Sequence, residues 1–297
     1  MTFDKDPSAA AGSGDLQSGN LAERIEELFA VPPGEPAPDG ARTVIDRLLI
    51  ALESGSVRSA QRGPQGTWRA VPWVKRGILA AFRFGEMRDY SLPGQPFSFV
   101  DKDTIPPQRF GMERHVRIVP GGSTIRRGVY VGAGVVCMPP MFVNVGAHVG
   151  AGTMIDSHAL VGSCAQVGER CHISAAAQIG GVLEPVNAAP VIVEDDVVVG
   201  GNCGVYEGTV VRARAVLAAG VVLTRGTPVY DLVHQVVYRA TADIALEIPS
   251  GAVVVPGARA VKSGWGAEQG LSLQTPVIVK YRDEKTDLAV SLEDWLR

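Results

Sequence analysis

Residues 119–179 read VPGGSTIRRGVYVGAGVVCMPPMFVNVGAHVGAGTMIDSHALVGSCAQVGERCHISAAAQI. Taking every sixth residue from Val119 gives Ile125, Val131, Cys137, Val143, Val149, Ile155, Val161, Val167, Ile173 and Ile179, all apolar and most of them β-branched. The following residue is often glycine, as at Gly132, Gly150, Gly162, Gly168 and Gly180, and the fourth after it is small, as at Ala147, Thr153, Ala159, Ala165 and Cys171. A helix repeats near 3.6 and a half-buried strand at 2, so a period of six predicts a solenoid of short parallel strands. Three such units close one triangular coil, with the aliphatic and the small residue both directed into a prism. Val193, Val199, Val205, Val211, Leu217 and Leu223 resume the period after a phase-shifting loop.

The bulk properties agree. A chain of 297 residues with 46% hydrophobic and 20% charged residues has room for an elongated core plus appendages. Its 35 glycines suit tight, repeated corners. A net charge of −3 gives no basic face of the kind nucleic acid requires. No apolar run is long enough for a membrane span, and the acidic start of the chain lacks the apolar centre of a secretory signal. The four cysteines fall inside the repeats with no CxxC pair, which predicts buried thiols and no metal site in a reducing, cytoplasmic setting.

In order, residues 1–19 read as a disordered lead, and 20–110 as a small α-helical or α+β domain. Asn20 is the expected cap of a helix reaching Phe29; further helices are expected over Thr43–Ser54 and Val74–Phe84, with two short strands around Gly63–Gly66 between them. The prism occupies 111–255, with excursions at 181–190 and 230–247, and 256–297 forms a C-terminal extension ending in a short helix over Ser291–Arg297. The excursion at 181–190 cannot pass through a filled prism, so it protrudes from a corner, where loops on rigid scaffolds carry function.

With the interior filled, chemistry is confined to the outside. Asp156 occupies a corner where its counterparts are mostly glycine; it either closes an Asx turn or serves as a functional carboxylate. His158 follows two residues later, and His148 and His172 read as solvated histidines. Glu184 lies in the protruding loop and Glu207 on an outward corner. Arg117, Arg126 and Arg127 cluster at the entrance, where guanidinium forks match a dicarboxylate. Flat faces of small residues lead us to expect a cyclic homo-oligomer, most simply a trimer.

Four segments, Arg117-Ile-Val-Pro120, Gly152-Thr-Met-Ile-Asp156, Val161-Gly-Ser-Cys-Ala-Gln-Val-Gly168 and above all Ile179-Gly-Gly-Val-Leu-Glu-Pro185, resemble the 2,3,4,5-tetrahydropyridine-2,6-dicarboxylate N-succinyltransferases. Gly66-Thr-Trp68, Trp73-Val-Lys-Arg-Gly-Ile-Leu and Phe82-Arg83 are similar too. The resemblance implies a left-handed coil, contrary to the usual right-handed crossover. It implies a homotrimer with sites between prisms, succinyl-CoA as donor and the amine of the ring-opened imine as acceptor. On the same basis Arg117 and Asp156 bind substrate, Asp156 is catalytic and Lys280 lies near the coenzyme phosphates; Glu184 is a further candidate for the substrate, His158 and Glu207 for catalysis, and Gly180, Gly181, Ala218 and Lys262 for the coenzyme.

Some positions depart from the family pattern. His158 stands where the family has tryptophan, Ala175-Ala176 where it has Gly-Gly, Gly204 where it has a glutamate and Tyr281 where it has lysine. His158 is then a candidate replacement for the lost base, since imidazole titrates near neutral pH. Three readings stand: succinyl transfer to that amine, a paralogue acylating a related amino acid from succinyl- or acetyl-CoA, and a non-catalytic ligand-binding scaffold.

Overall fold

The structure, a computed structural model, describes residues 18–94, 96–242 and 244–283. The expected lead and the expected helix over Ser291–Arg297 lie outside them, except that the first helix already begins at Ser18.

The period of six appears as strands two residues long on three faces of a prism. Face 1 begins with Arg117–Ile118 and continues through Val136–Cys137, Met154–Ile155, His172–Ile173, Val198–Val199 and Val216–Leu217. Face 2 runs from Thr124–Ile125 through Phe142–Val143, Leu160–Val161, Gln178–Ile179 and Gly204–Val205 to Val222–Leu223. Face 3 comprises Tyr130–Val131, His148–Val149, Gln166–Val167, Ile192–Val193, Val210–Val211 and Glu247–Ile248. The chain visits the faces in that order, and every strand pairs in parallel with the one three units on, as Ile155 does with Cys137 and Ile173. The second residue of each strand points inward: from Ile125 to Leu223 these side chains are at most 4% exposed. Fully burying each is worth about 1.5–3 kcal/mol.

The period needs one correction. Ile118, not Val119, pairs with Cys137 and packs on the core, because Gly121 (φ 144°) and Gly122 (φ 91°) add a residue to the first corner. The glycines that follow the aliphatic residues also have a different cause from the one expected. Positive φ falls two positions later, at Gly134 and Gly152 but also at His158, Cys164 and Arg170. What requires glycine at 150 and 162 is the next coil: a Cβ on Gly150 would sit 2.4 Å from the carbonyl carbon of Gly168, and one on Gly162 would sit 2.2 Å from the amide of Gly181.

Before the prism come helices α1 (Ser18–Phe29), α2 (Ala41–Glu53) and α3 (Pro72–Phe84), with the antiparallel strands β1 (Ala60–Arg62) and β2 (Trp68–Ala70) between α2 and α3. Asn20 lies inside α1 and does not cap it. The other two helices start two residues earlier than expected, α2 after Gly40 in the left-handed region and α3 at Pro72, whose fixed φ suits a first helical position. Leu21, Ile25, Ile45, Leu48, Leu49, Val74 and Ile78 form their shared core. This core continues onto the corner between faces 2 and 3 through Val145 and Cys164, so Cys164 belongs to the helical core and not to the prism interior. Buried Ser59 donates to the carbonyl of Gly146 (2.8 Å) and accepts from Gln166 Nε2 (2.8 Å), tying β1 to the prism.

At the other end, Val229–Asp231 pairs antiparallel with Val236–Tyr238 inside the 230–247 excursion. Ala252–Ala260 joins face 1 and runs on past residue 255 to pair antiparallel with Ser272–Tyr281. The C-terminal part is therefore a continuation of face 1 as a long hairpin.

The helical domain depends on one close contact. A Cβ on Gly77 of α3 would lie 2.3 Å from Leu48 Cδ2 and 2.9 Å from Ile25 Cδ1. Gly77→Ala, favourable by helix propensity, is expected instead to lower stability by about 1–3 kcal/mol through overpacking, read as a reduced denaturation midpoint.

Candidate active site

The corner between faces 2 and 3 holds the helical domain at its lower coils and the loop 181–190 directly above. There a cavity of about 990 Å³ opens between the loop, Trp68 and Pro72 from the helical domain, Tyr206-Glu207 of the next coil and Arg225 of the one after. The loop is held by Lys75, a wholly buried side chain on α3 whose Nζ donates to the carbonyl of Ala188 at 2.6 Å. Desolvation lowers the pKa of that ammonium. Gly208 keeps room for the loop, since a Cβ there would lie 2.7 Å from the Ala189 carbonyl oxygen.

Glu184 and Glu207 both line this cavity, as do Gly180 and Gly181. Glu207 is in the left-handed region (φ 54°) and is followed by Gly208 (φ 72°), a doubled left-handed step absent from the regular corners. Its Oε2 accepts the backbone N–H of Arg225 at 2.7 Å, which pins the carboxylate. Tyr206 lies across Gly180 and Gly204. A Cβ at 204 would meet Tyr206 Cε2 at 2.4 Å and Oη at 2.9 Å, and a Cβ at 180 would meet its Cδ1 at 2.8 Å. The tyrosine thus fills the space that a side chain at position 204 would occupy, and its hydroxyl has no protein partner among the described residues.

Asp156 and His158 sit on the opposite edge of face 2, at its corner with face 1. Asp156 Oδ2 lies 2.8 Å from Nε2 of His172, both groups about one-fifth exposed, so the histidine it engages is His172 and not His158. The expected solvated role of His172 is thereby replaced by a carboxylate–imidazole pair. His158 is exposed in the left-handed region, its backbone N–H on the Pro140 carbonyl, beside a shallow hollow with Phe142 and Leu160. The Asp156–His172 contact follows from the period: Ile155 and Ile173 stack, and the two polar residues flank them.

Arg117 opens face 1 in register with Val136 and is exposed. The expected arginine cluster is divided, because Arg126 pairs with Asp101 and Arg127 with Asp46 (2.9 Å) and Glu53 (3.2 Å), which fastens the helical domain and the antiparallel strands Met87–Asp89 and Val100–Lys102 that follow it to the prism. Ala218 lies on the same corner as Asp156 but higher, bonded through its N–H to Val254, while Lys262 and Lys280 belong to the C-terminal hairpin. None of these three borders the large cavity. Within one chain the candidate residues therefore form two groups on opposite edges of face 2, a carboxylate–imidazole pair on one and Glu184, Tyr206 and Glu207 on the other. Trp68, Lys75, Tyr206 and Arg225 were not singled out as site residues from sequence, and His172, read there as solvated, had a readable signal in its place beside Ile173.

Among the described residues no helix is long and apolar enough to cross a membrane, and no group of three or more His, Cys, Asp or Glu could hold a metal ion.

Two family models match the chain, "Tetrahydrodipicolinate N-succinyltransferase N-terminal" over residues 20–84 and "Hexapeptide repeat of succinyl-transferase" over 190–225. A 2,3,4,5-tetrahydropyridine-2,6-dicarboxylate N-succinyltransferase of Bradyrhizobium diazoefficiens is 41% identical over 263 residues, covering 86% of this chain and 90% of the relative. One from Nitrobacter hamburgensis is 41% identical over 279 residues, covering 92% and 94%. A solved structure of a putative N-succinyltransferase from Campylobacter jejuni aligns at TM-score 0.47 and 18% identity over 84% of this chain and 64% of that one. With two-fifths of positions shared along almost the whole length, this chain, a left-handed parallel β-helix with a small N-terminal helical domain, is an acyltransferase belonging to the 2,3,4,5-tetrahydropyridine-2,6-dicarboxylate N-succinyltransferase family.

Proposed function

We propose that this enzyme transfers the succinyl group of succinyl-CoA to the primary amine of the ring-opened form of tetrahydropyridine-2,6-dicarboxylate. The observation that carries this reading is the identity of about 40%, over most of the chain, with relatives bearing that name. The chemistry asks for loss of a proton from the acceptor ammonium, attack of the amine on the thioester carbonyl, and collapse of the tetrahedral oxyanion with expulsion of the CoA thiolate. Asp156 supports the first step by accepting the Nε2–H of His172, which leaves Nδ1 of that ring as proton acceptor. A cysteinyl intermediate is disfavoured: burial raises the thiol pKa of Cys137 and Cys171 to about 12 and that of Cys164 to about 11, so no thiolate forms near neutral pH.

The two residue groups on opposite edges of face 2 support a cyclic trimer, in which one copy's Asp156–His172 edge meets the next copy's Glu184–Glu207 edge. Three of the six outward residues of that face, Phe142, Leu160 and Val222, are apolar and half-buried, the others being Thr124, Gln178 and Gly204. In the trimer Arg117 holds an acceptor carboxylate, and Lys262 and Lys280 meet the coenzyme's phosphates. Buried free thiols fit a reducing cytoplasm. A second reading keeps the reaction and changes the acceptor or the donor, favoured by the one observation that Tyr206 fills the space over Gly204.

Release of free CoA thiol from succinyl-CoA and acetyl-CoA with a panel of amino-dicarboxylates tests these readings. Turnover is expected with succinyl-CoA and the ring-opened acceptor; faster turnover with another pair moves the assignment to the second reading, and CoA binding with no thiol release from any acceptor makes the protein a scaffold. His172→Asn is expected to lower kcat by about two to four orders of magnitude, whereas His158→Asn changes it by less than about tenfold; the reverse order would return the base to His158. Lys75→Met is expected to raise KM for at least one substrate about tenfold with a smaller change in kcat, because it unfastens the 181–190 loop without touching reacting atoms.

A further inference from the structure

Face 3 carries a second cavity, of about 430 Å³, between its lower strands and the β1–β2 hairpin. Trp68 is common to this cavity and the larger one, so the hairpin stands as a partition between them. Arg58 enters the smaller cavity and is held in place, its Nε donating to Gln166 Oε1 at 2.9 Å. Gln166 cannot swing away. It is 1% exposed, and its Nε2 is bonded to Ser59 Oγ and the Cys164 carbonyl, each at 2.8 Å.

The guanidinium so positioned lies 5.6 Å from the centre of the Trp68 ring and forms no ion pair among the described residues. Burial lowers its pKa, and the charge of Asp195 offsets this only in part. The carboxylates nearby are already engaged. Glu194 takes Trp68 Nε1 (2.9 Å) and Arg212 (2.9 Å), and Asp195 Oδ1 takes the Glu169 N–H (2.9 Å). Beside Arg58, His148 stacks on Tyr130 with centroids 4.3 Å apart and planes 12° from parallel, and its Nδ1 is buried with no hydrogen-bond partner. Desolvation first and Arg58 second hold this imidazole neutral, with its pKa down to about 3.

A half-buried arginine fork without an ion pair, a neutral imidazole beside it and the rings of Trp68 and Tyr130 make one kind of binding site. We propose that this cavity binds a small monocarboxylate with a flat or apolar body, its carboxylate on the Arg58 fork and the Nε2–H of His148, the nitrogen of that ring not buried, and its body against Trp68 and Tyr130. A guanidinium offers a carboxylate two parallel N–H donors. Of the other charges lining the cavity, Arg62 faces Glu194 (3.7 Å) and Glu169 is paired with Arg170 (2.7 Å), which leaves Asp195, without an ion pair among the described residues, to repel a second negative charge and favour a monocarboxylate over phosphate or a dicarboxylate. The volume lies within the range of small-molecule sites.

The test is calorimetric titration of the full-length protein with benzoate, acetate and inorganic phosphate, with unfolding temperature measured for each variant. Saturable benzoate binding is expected, with acetate weaker for want of a ring. Arg58→Met is expected to weaken benzoate at least about tenfold, the loss of a charge-assisted pair. His148→Phe keeps the stack on Tyr130 and removes only the nitrogens, so it gives a folded variant with weakened binding even where Arg58→Met does not fold. The proposal is overturned by three outcomes: neither carboxylate saturates the wild type, benzoate binds His148→Phe as tightly as wild type, or phosphate binds more tightly than benzoate. Because Arg58 and His148 lie outside the proposed catalytic groups, acyl-transfer assays decide the proposed function separately.

Discussion

Parallel strands stack about 4.8 Å apart, and in this molecule successive coils of backbone must do so at every corner. No side chain fits between coils where the corners run straightest, which is why glycine recurs at 132, 150 and 168 and again at 162. With the coils at this spacing, the inward aliphatic residues touch those above and below and fill the column. Most of the folding free energy of the prism comes from that column, since each two-residue strand has too few hydrogen bonds to persist alone.

A filled column forces the chemistry outward, and the stacking rule then shows where to look. Asp156 and Tyr206 follow inward aliphatic residues directly and Glu207 comes one position later, and each faces one of the two edges of face 2. The pairing of Asp156 with His172 across adjacent coils gives an imidazole a fixed orientation on a rigid lattice, the support an acid–base group needs. Tyr206 shows the same lattice accommodating exchange: with no side chain at 204 or 180, the aromatic ring lies flat over the backbone of both strands.

The helical domain attaches by buried polar contacts as well as by its apolar core. Ser59 and Gln166 join β1 to face 3, and Lys75 reaches from α3 to the loop above. Such groups stabilise less than apolar packing would, but once buried they tolerate only one arrangement. The loop 181–190, the β1–β2 hairpin and the first three coils therefore keep a defined relation, and both cavities are built in the seams between them.

Much of this was legible in the chain. A six-residue period needs only local composition, so the prism, its phase shift at 180–190 and the burial of Ile155 and Val161 could be read directly. The corner positions of Asp156 and Glu207 were legible for the same reason. The glycine-rich insertion that displaces Val119, the partners of Asp156, the diversion of Arg126 and Arg127 into ion pairs and the ring of Tyr206 over Gly204 were not. Each is a contact between residues distant in sequence or a choice of side-chain direction, and no periodicity encodes either. Sequence alone determined which residues fill the column from Ile125 onward, because burial follows the repeat there. Tertiary structure alone decided which outward groups meet, because that depends on how coils, helices and loops settle against one another in space.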